Sequence, residues 1–318
     1  MLKTILIAAG LAALLAPSAL AEEWSYTDTT GNTVTLDHVP TRIIMHANAA
    51  AGLIPLGIRP VGIYVDSPVA EDKSLQGLDL TGIEIVGEAW SQIDVEKVAV
   101  LKPDLIIAEY WPLDKAWSGL NSGSNADSAQ IFKIAPVTGP TQGDSIVKLI
   151  EDYETLAESL GADLSAPQVV ADNAAFEAAR DRFKAAVAAR PDFVAMPIWA
   201  GNDALYVAAT AGAAELMDFA SWGLKLIDPE VADDRGYWET LSWEQADKYQ
   251  PDLVLVDNRA DSTLETAVAQ PTWTSIKAAA AGQVADWPAF WLRNHAAYAV
   301  ALDKLTAAIE AADETFSH

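Results

Sequence analysis

The chain contains no cysteine. That excludes disulfides, thiolate metal sites, iron–sulfur clusters and a cysteine nucleophile, and it leaves no cysteine to carry a lipid behind a leader. Histidine is scarce: His38, His46, His295 and His318 are the four, and no two are spaced as metal ligands. A divalent-metal carrier would want such ligands clustered, although ferric ion held by tyrosinate stays open. Walker A, GxSxG and GxGxxG motifs are missing as well, which speaks against the commonest nucleotide-binding and hydrolase sites. Basic charge is short, with 20 Lys and Arg against 45 Asp and Glu, for a formal net charge of −25. Such a chain repels nucleic acid and anionic lipid. It would suit a basic protein partner, and solubility alone accounts for most of the charge.

Long apolar runs are rare too. Ile5 to Ala16 is one, too short to span a bilayer with margin. It follows Lys3 and precedes the small-x-small site Ala19-Leu20-Ala21, so residues 1–21 read as a secretory signal peptide cleaved after Ala21. A retained membrane anchor is the alternative. No later segment reaches about 18 unbroken apolar residues, the length that would suggest a span. The expectation is an exported, unanchored and monomeric protein of a Gram-negative periplasm, with no nucleic-acid partner and no membrane insertion once the leader is gone.

What is present is a phrase that occurs twice. Ile93 to Glu109 (IDVEKVAVLKPDLIIAE) and Leu241 to Asp257 (LSWEQADKYQPDLVLVD) align without a gap, carrying Glu96 onto Glu244. Each copy reads as a short helix, a Pro-Asp turn and a buried strand. Asp94 and Ser242 are N-cap types, and Glu96 and Glu244 suit the first turn of a helix. Pro103 and Pro251 stop the helices. The apolar runs at 105–107 and 253–255 suit strands covered on both faces. Helix, Pro-Asp and strand are common in any α/β protein, but a repeat at this range suggests two lobes of similar construction.

In chain order, Trp24 to Leu36 reads as a hairpin turning at Thr30-Gly31-Asn32. Strands are expected at 42–46, 61–65, 83–86 and 105–107, with a fifth around 134–137. Strands alternating with helices indicate a parallel, doubly wound lobe. Ser145 to Leu160 is an amphipathic helix, with Ile146, Leu149, Ile150, Tyr153, Leu156 and Leu160 at helical spacing. Ser165 to Arg190 is a long helix with Val170, Phe176, Phe183 and Val187 roughly along one stripe. The second lobe opens with a strand at 193–199, and helices are expected at 211–222, 271–281 and 296–312. The reading is α/β: a first lobe over 22–164, a connecting helix over 165–190 that acts as a stiff spar, and a second lobe over 191–318.

Tryptophan is abundant, at eleven residues. Several follow expected strands, and open α/β sheets bind ligands beyond the carboxyl ends of their strands. Trp90, Tyr110, Trp111, Tyr237, Trp238 and Trp291 are therefore candidate ligand contacts. Bare aromatic faces at loop tips are costly and suit a large, partly apolar ligand. Arg235 and Arg293 stand beside them and could hold an anionic group or stack on a ring. Trp199, Trp222, Trp243 and Trp273 are read as core. Glu96 and Glu244, matched across the repeat, are candidates for docking on basic sockets of a partner; the alternative is that each only complements a helix dipole.

The ordered set of pieces resembles the periplasmic binding proteins that deliver ferric siderophores and cobalamin to ABC importers. The pieces are Pro40-Thr-Arg-Ile-Ile44, Leu56-Gly-Ile-Arg-Pro-Val-Gly62, the stretch Val95 to Ile106, the long helix ending near Pro191, Ser242-Trp-Glu-Gln245 with Pro251-Asp-Leu-Val254, and Gly282-Gln-Val284 before Pro288-Ala-Phe-Trp291. The resemblance implies two doubly wound lobes joined by a single long helix, a ligand in the cleft between them, and little domain closure. It implies one glutamate per lobe docking on arginines of the permease dimer, at positions matching Glu96 and Glu244. It implies no enzymatic activity and no cofactor, the cargo being an iron–siderophore chelate. Tyr110, Trp238 and Trp291 match aromatics lining the cleft of the hydroxamate-siderophore branch. Where that branch has an arginine after the third strand, this chain has Gly87-Glu-Ala-Trp90, leaving Arg235 or Arg293 as substitutes. Cobalamin or haem is the alternative cargo, and an exported two-lobed enzyme the more distant alternative.

Overall fold

The computed structural model of the chain describes residues 23–120, 126–229, 236–260 and 262–317. The signal peptide expected over 1–21 and the candidate Arg235 lie outside the described residues. Among the described residues, no helix is long and apolar enough to cross a membrane.

Strands β1 (Trp24–Thr27) and β2 (Thr33–Leu36) pair antiparallel as expected. The Asp28 carboxylate closes their turn by accepting from the Thr30 and Asn32 N–H groups, and Gly31 takes the left-handed φ of 84°.

The first lobe is a parallel sheet of β3 (Ile43–His46), β4 (Gly62–Val65), β5 (Glu84–Glu88), β6 (Leu105–Ile107) and, beyond a small ribbon of β7 (Tyr110–Trp111) and β8 (Ala116–Trp117), β9 (Val137–Thr138). The strand order is β5-β4-β3-β6-β9. The chain winds outward from β3 in both directions, so the order reverses between β3 and β6. The last strand lies a few residues beyond its expected start, because helix α3 (Ala126–Ile134) continues through Ile134. Alternate strand residues face opposite ways. Ile43, Met45, Ile63, Leu105 and Ile107 share a core with Leu53 of α1 (Ala47–Leu53) and with Leu149 and Tyr153 of α4 (Ile146–Ser159). Ile44, Tyr64, Val86 and Ile106 share another with Val98 of α2 (Val95–Leu101) and Ile131 of α3. Both faces are covered, which is why the strands read as unbroken apolar runs. Where α1 meets α4, a Cβ on Gly52 would lie 2.6 Å from Tyr153 Cγ, so only glycine allows the approach.

Helix α4 starts at a Ser145 cap, and its first two N–H groups donate to the Asp218 carboxylate of the second lobe. Helix α5 (Pro167–Ala188) then leads to the second lobe, with Pro167 in its first turn. Its buried stripe is Val169, Phe176, Ala179, Phe183, Ala186 and Val187. Val170, expected in that stripe, is exposed; its neighbour Val169 has the inward position. The helix lies along α9 (His295–Ala311), with Arg182 forked on Asp303 and the Arg190 guanidinium on the carbonyls of Ile309 and Ala312. One continuous apolar core runs through α4, α5, α6 (Ala214–Ser221) and α9 into both lobes.

The second lobe is a six-stranded sheet. Its order is β13 (Trp238–Ser242), β11 (Ala204–Ala208), β10 (Val194–Ala200), β14 (Leu253–Asp257), β15 (Val284–Trp287), with β12 (Lys225–Leu226) beside the start of β10. Strands β10, β12, β14 and β15 are parallel; β11 runs against them, and β13, antiparallel to β11, again points the way β10 does. The turn between β10 and β11 is too short for a crossover, so that pair must be antiparallel. Beyond β14 lie α7 (Ser262–Val268), then a 3₁₀ turn at Trp273–Ser275 and α8 (Lys277–Ala280), which together replace the single helix expected over 271–281.

The repeat is real at the level of hydrogen bonds. Asp104 accepts from the Thr41 and Arg42 N–H groups at the entry to β3, and Asp252 accepts from the Val194 N–H at the start of β10. Each Pro-Asp turn thus staples its strand to the central strand of its sheet. The copies differ in their first half: α2 is an α-helix, whereas Trp243–Lys248 is a 3₁₀ segment interrupted at Gln245. Trp243 is buried there, and its indole donates to the Gly201 carbonyl.

Candidate functional site

The carboxyl ends of the two parallel arrays carry most of the aromatic and charged residues that are not simple core. Residues leaving β6 and β15 meet across the lobes: the rings of Trp111 and Phe290 lie 6.2 Å apart. From Phe290 a chain of rings continues through Trp287 at 6.0 Å, Trp238 at 5.9 Å and Trp199 at 6.5 Å, and Tyr206 packs on Trp199 at 4.7 Å. Tyr110 packs edge-on against Trp117 at 5.1 Å, in the ribbon that also carries Trp111. Indole N–H groups find partners, as half-buried ones must. Trp111 Nε1 donates to Ser118 Oγ at 2.7 Å, and Trp291 Nε1 donates to Asn258 Oδ1 at 2.8 Å.

The sequence candidates therefore distribute unevenly. Trp111 and Trp238 belong to one ring chain, through Phe290 and Trp287. Trp291 stands next to Phe290 and is tied to the loop after β14. Trp90 lies at the end of the edge strand β5 and is 57% exposed. Tyr237 is half-buried against Gly212, with its carbonyl accepting from the Ala209 N–H. Arg293 is fully buried and occupied by Glu109 and the Leu292 carbonyl. Trp243 and Trp273 are buried as expected, and Trp222 is half-buried against the rings of Phe176, Phe183 and Tyr298. Trp199, expected in the core, is instead 37% exposed: it takes the face of β10 opposite to its buried neighbours Ile198 and Ala200, beside Tyr206 of β11. Glu96 and Glu244 are both exposed in the first turn of their segments. The carboxyl of Glu244 is held below the usual range by its own backbone N–H and the Ser242 side chain.

Sequence reasoning missed the buried carboxylates that organise this region. Glu109 and Asp257 close the two copies of the repeat, each directly after its apolar strand, and that matched acidic ending was the available signal. Glu109 accepts from Asn48 Nδ2 at 3.1 Å, Gln142 Nε2 at 2.7 Å, Tyr153 OH at 2.8 Å and Arg293 Nη2 at 2.9 Å. Burial alone would raise its pKa; the Arg293 charge and these hydrogen bonds outweigh that and hold it below the ordinary value. Asp257 is forked by the Arg259 guanidinium, which also lies 4.8 Å from the centre of the Phe290 ring. Glu215, from α6, accepts from Trp287 Nε1 and from the Phe290 N–H, both at 3.0 Å. Phe290 has a left-handed φ of 65°, unusual for a side chain of its size, so Glu215 holds the turn that aims its ring. Burial pushes the Glu215 carboxyl up to about 7. Its buried Oε2 has no hydrogen-bond partner among the described residues.

At the carboxyl ends of β3 and β4, His46 Nε2 lies 3.1 Å from Asp66 Oδ2, and His46 Nδ1 accepts from the Asn48 N–H. Tyr64, beside them, donates to the Ser118 carbonyl. This joins the pair to the ribbon that carries Trp111.

Residues 65–289 match the family described as periplasmic binding protein. No curated protein sequence matches the chain. Among solved structures, the chain is similar to DesE, a ferric-siderophore receptor protein from Streptomyces coelicolor, at 29% identity and a TM-score of 0.83, covering 92% of this chain and 99% of that one. It shares its fold with the siderophore periplasmic binding protein of the fuscachelin gene cluster of Thermobifida fusca, at 21% identity and a TM-score of 0.64, over 86% of this chain and 97% of that one. It also shares the fold of FhuD2 from Staphylococcus aureus, solved with bound ferrioxamine B, at 19% identity and a TM-score of 0.58, over 85% and 98% of the two chains.

Proposed function

The chain belongs to the periplasmic binding protein family, and on that premise we propose that it captures a ferric-siderophore chelate between its lobes and delivers it to an ABC importer of the inner membrane. The observation that carries the reading is the chain of rings from Trp111 through Phe290 and Trp287 to Trp238, which crosses from one lobe to the other at the carboxyl end of β15; Trp287 is buried within it, and the half-buried rings of Trp111, Phe290 and Trp238 are the ones with a face to offer. Aromatic faces in that position suit the organic envelope of a chelate. The chelator fills the coordination shell of the iron, so the protein contacts ligand carbon, nitrogen and oxygen and supplies no metal ligand. The similarity to DesE over nearly the whole chain supports the same cargo class.

Tyr110, Trp111, Trp238 and Trp291 are the proposed cleft contacts, with Trp90 and Tyr237 at its margins. Arg293 serves the cleft from behind: it fixes Glu109, and hence the position from which Tyr110 and Trp111 start. Glu96 and Glu244 are the proposed docking points for a permease dimer, one on each lobe. The protein acts in the periplasm as a monomer after loss of residues 1–21, binds without catalysing, and needs no cofactor.

Intrinsic tryptophan fluorescence tests the cargo. Titration with ferric hydroxamate, catecholate and carboxylate siderophores, haem and cobalamin is expected to give saturable quenching by at least one ferric siderophore. Quenching by haem or cobalamin alone would replace the cargo, and quenching by none would remove the carrier reading.

A further inference from the structure

The aromatic wall does not stop at Trp238. Trp199 and Tyr206 are paired across the β10–β11 hairpin with their rings 4.7 Å apart, and the Trp238 ring lies 6.5 Å from the first and 6.3 Å from the second. The three rings thus touch one another in a triangle, and Trp238 joins that triangle to Trp287 and the ring chain at 5.9 Å. None of the three is buried: Trp199 is 37% exposed, and Tyr206 and Trp238 are half-buried.

The sheet register explains why this surface is apolar. Trp199 pairs with Tyr206, Tyr206 with Thr240, and Ala208 with Trp238, so all of these share one face of the sheet. Besides the rings, that face of β10, β11 and β13 carries only alanine, Pro197, Thr240 and Ser242, so no residue on it is charged, in a chain with 45 Asp and Glu. The one acid of β13, Glu239, points to the opposite face, where Lys248 and the Tyr249 hydroxyl hold it. Ala195 and Ala208, from the same face as the rings, enter the core that runs through both lobes. Met196, Ile198, Leu205 and Val207, from the opposite face, build a separate core within the second lobe. The open rings therefore lie on the side of the sheet turned to the lobe junction, as a continuation of the cleft wall.

Resting on the reading under Proposed function, we propose that Trp199, Tyr206 and Trp238 form a ledge for an uncharged apolar arm of the cargo, and that the protein prefers chelates bearing such an arm. An apolar group laid on the ledge removes ring surface from water, and an aryl group adds ring-to-ring contact. A charged arm would give up water there and meet no opposite charge on that face.

The test compares two derivatives of ferrioxamine B acylated at the terminal amine, N-acetyl and N-benzoyl. Both hold iron in the same hydroxamate shell and carry the same charge, so they differ in the apolar arm alone. Calorimetric titration of the wild-type protein is expected to give about tenfold tighter binding of the benzoyl chelate. Trp199→Ala should bring the ratio of the two affinities close to one. Thr240→Asp, at an exposed position of β13 beside Tyr206, puts a charge on the same face and should lower the ratio without removing a ring. Equal binding of the two chelates by the wild type, or an undiminished ratio in both variants, would overturn the ledge while leaving capture intact. Binding of neither chelate would also overturn the ledge, and capture falls with it only if every other chelate titrated under Proposed function fails as well.

Discussion

Glu109 and Arg293, 184 positions apart in the chain, meet between the lobes as an ion pair with no solvent exposure on either side chain. Three further donors, from Asn48, Gln142 and Tyr153, complete the Glu109 carboxylate. A buried pair is no guarantee of stability, because both charges must be stripped of water. It does make the two lobes interdependent, since neither charge can leave without exposing the other to an apolar interior.

Breaking this pair from one side should therefore cost much more than removing it whole. Glu109→Gln or Arg293→Met is expected to destabilise the protein by about 3–5 kcal/mol, and the double variant by less than the sum of the two. Urea unfolding of the three variants at neutral pH measures the difference. Additive losses would mean that the two residues act independently.

Glu215 gives the protein a dependence on pH of opposite sign to that of an ordinary salt-bridged acid. Its ordinary value of 4.5 is raised to about 7, chiefly by burial. At pH below about 4.5 the carboxyl is protonated in folded and unfolded chains alike. Between there and about 7 the unfolded chain gives up the proton first, so stability falls as pH rises. Above about 7 the loss is complete, on the order of 3 kcal/mol. Urea midpoints from pH 5 to 8 should fall in the wild type more steeply than in Glu215→Gln. Parallel profiles would mean that the carboxyl ionises normally.

Single rings in the cleft should matter more for binding than for folding. Trp111→Ala or Phe290→Ala is expected to weaken binding of a ferric chelate about tenfold or more, whereas Trp111→Phe keeps most of the contact. Fluorescence titration of each variant is the measurement. Unchanged affinity in both alanine variants would remove the ring chain from the binding surface.

The matched acids should separate capture from delivery. Glu96→Ala combined with Glu244→Ala is expected to leave chelate affinity within about twofold and to abolish uptake of labelled iron in cells that depend on this carrier. Exposed surface substitutions rarely shift stability by more than about 0.5 kcal/mol, so a large loss of affinity would mean that both residues are structural.

Much of the architecture was legible because local physics sets it. The two Pro-Asp phrases announced equivalent strands, the spacing of Ile146, Leu149, Ile150 and Tyr153 gave the buried face of α4, and Gly31 marked the first turn. Long-range pairing left no such trace. Nothing local to Arg293 indicates that its partner is Glu109, so it read as a free cation in the cleft. Trp199 read as core because β10 is apolar on both sides, and only the folded sheet shows that the face carrying Trp199 and Tyr206 stays partly open while Ile198 and Ala200 face the core. The 3₁₀ form of Trp243–Lys248 likewise depends on Trp243 being tied to Gly201 across the sheet. Of the site, the aromatic character was readable, while the carboxylates that aim it were visible only as the acidic last letters of the repeat.

The central claim is that an intact iron chelate, and not a bare ion, occupies the space between the lobes. Native mass spectrometry of the purified protein mixed with one equivalent of a ferric siderophore tests this directly. The expected result is one added mass per chain, equal to chelator plus iron, displaced as a unit by excess of the same chelate. Retention of iron without chelator, or of neither, would contradict it.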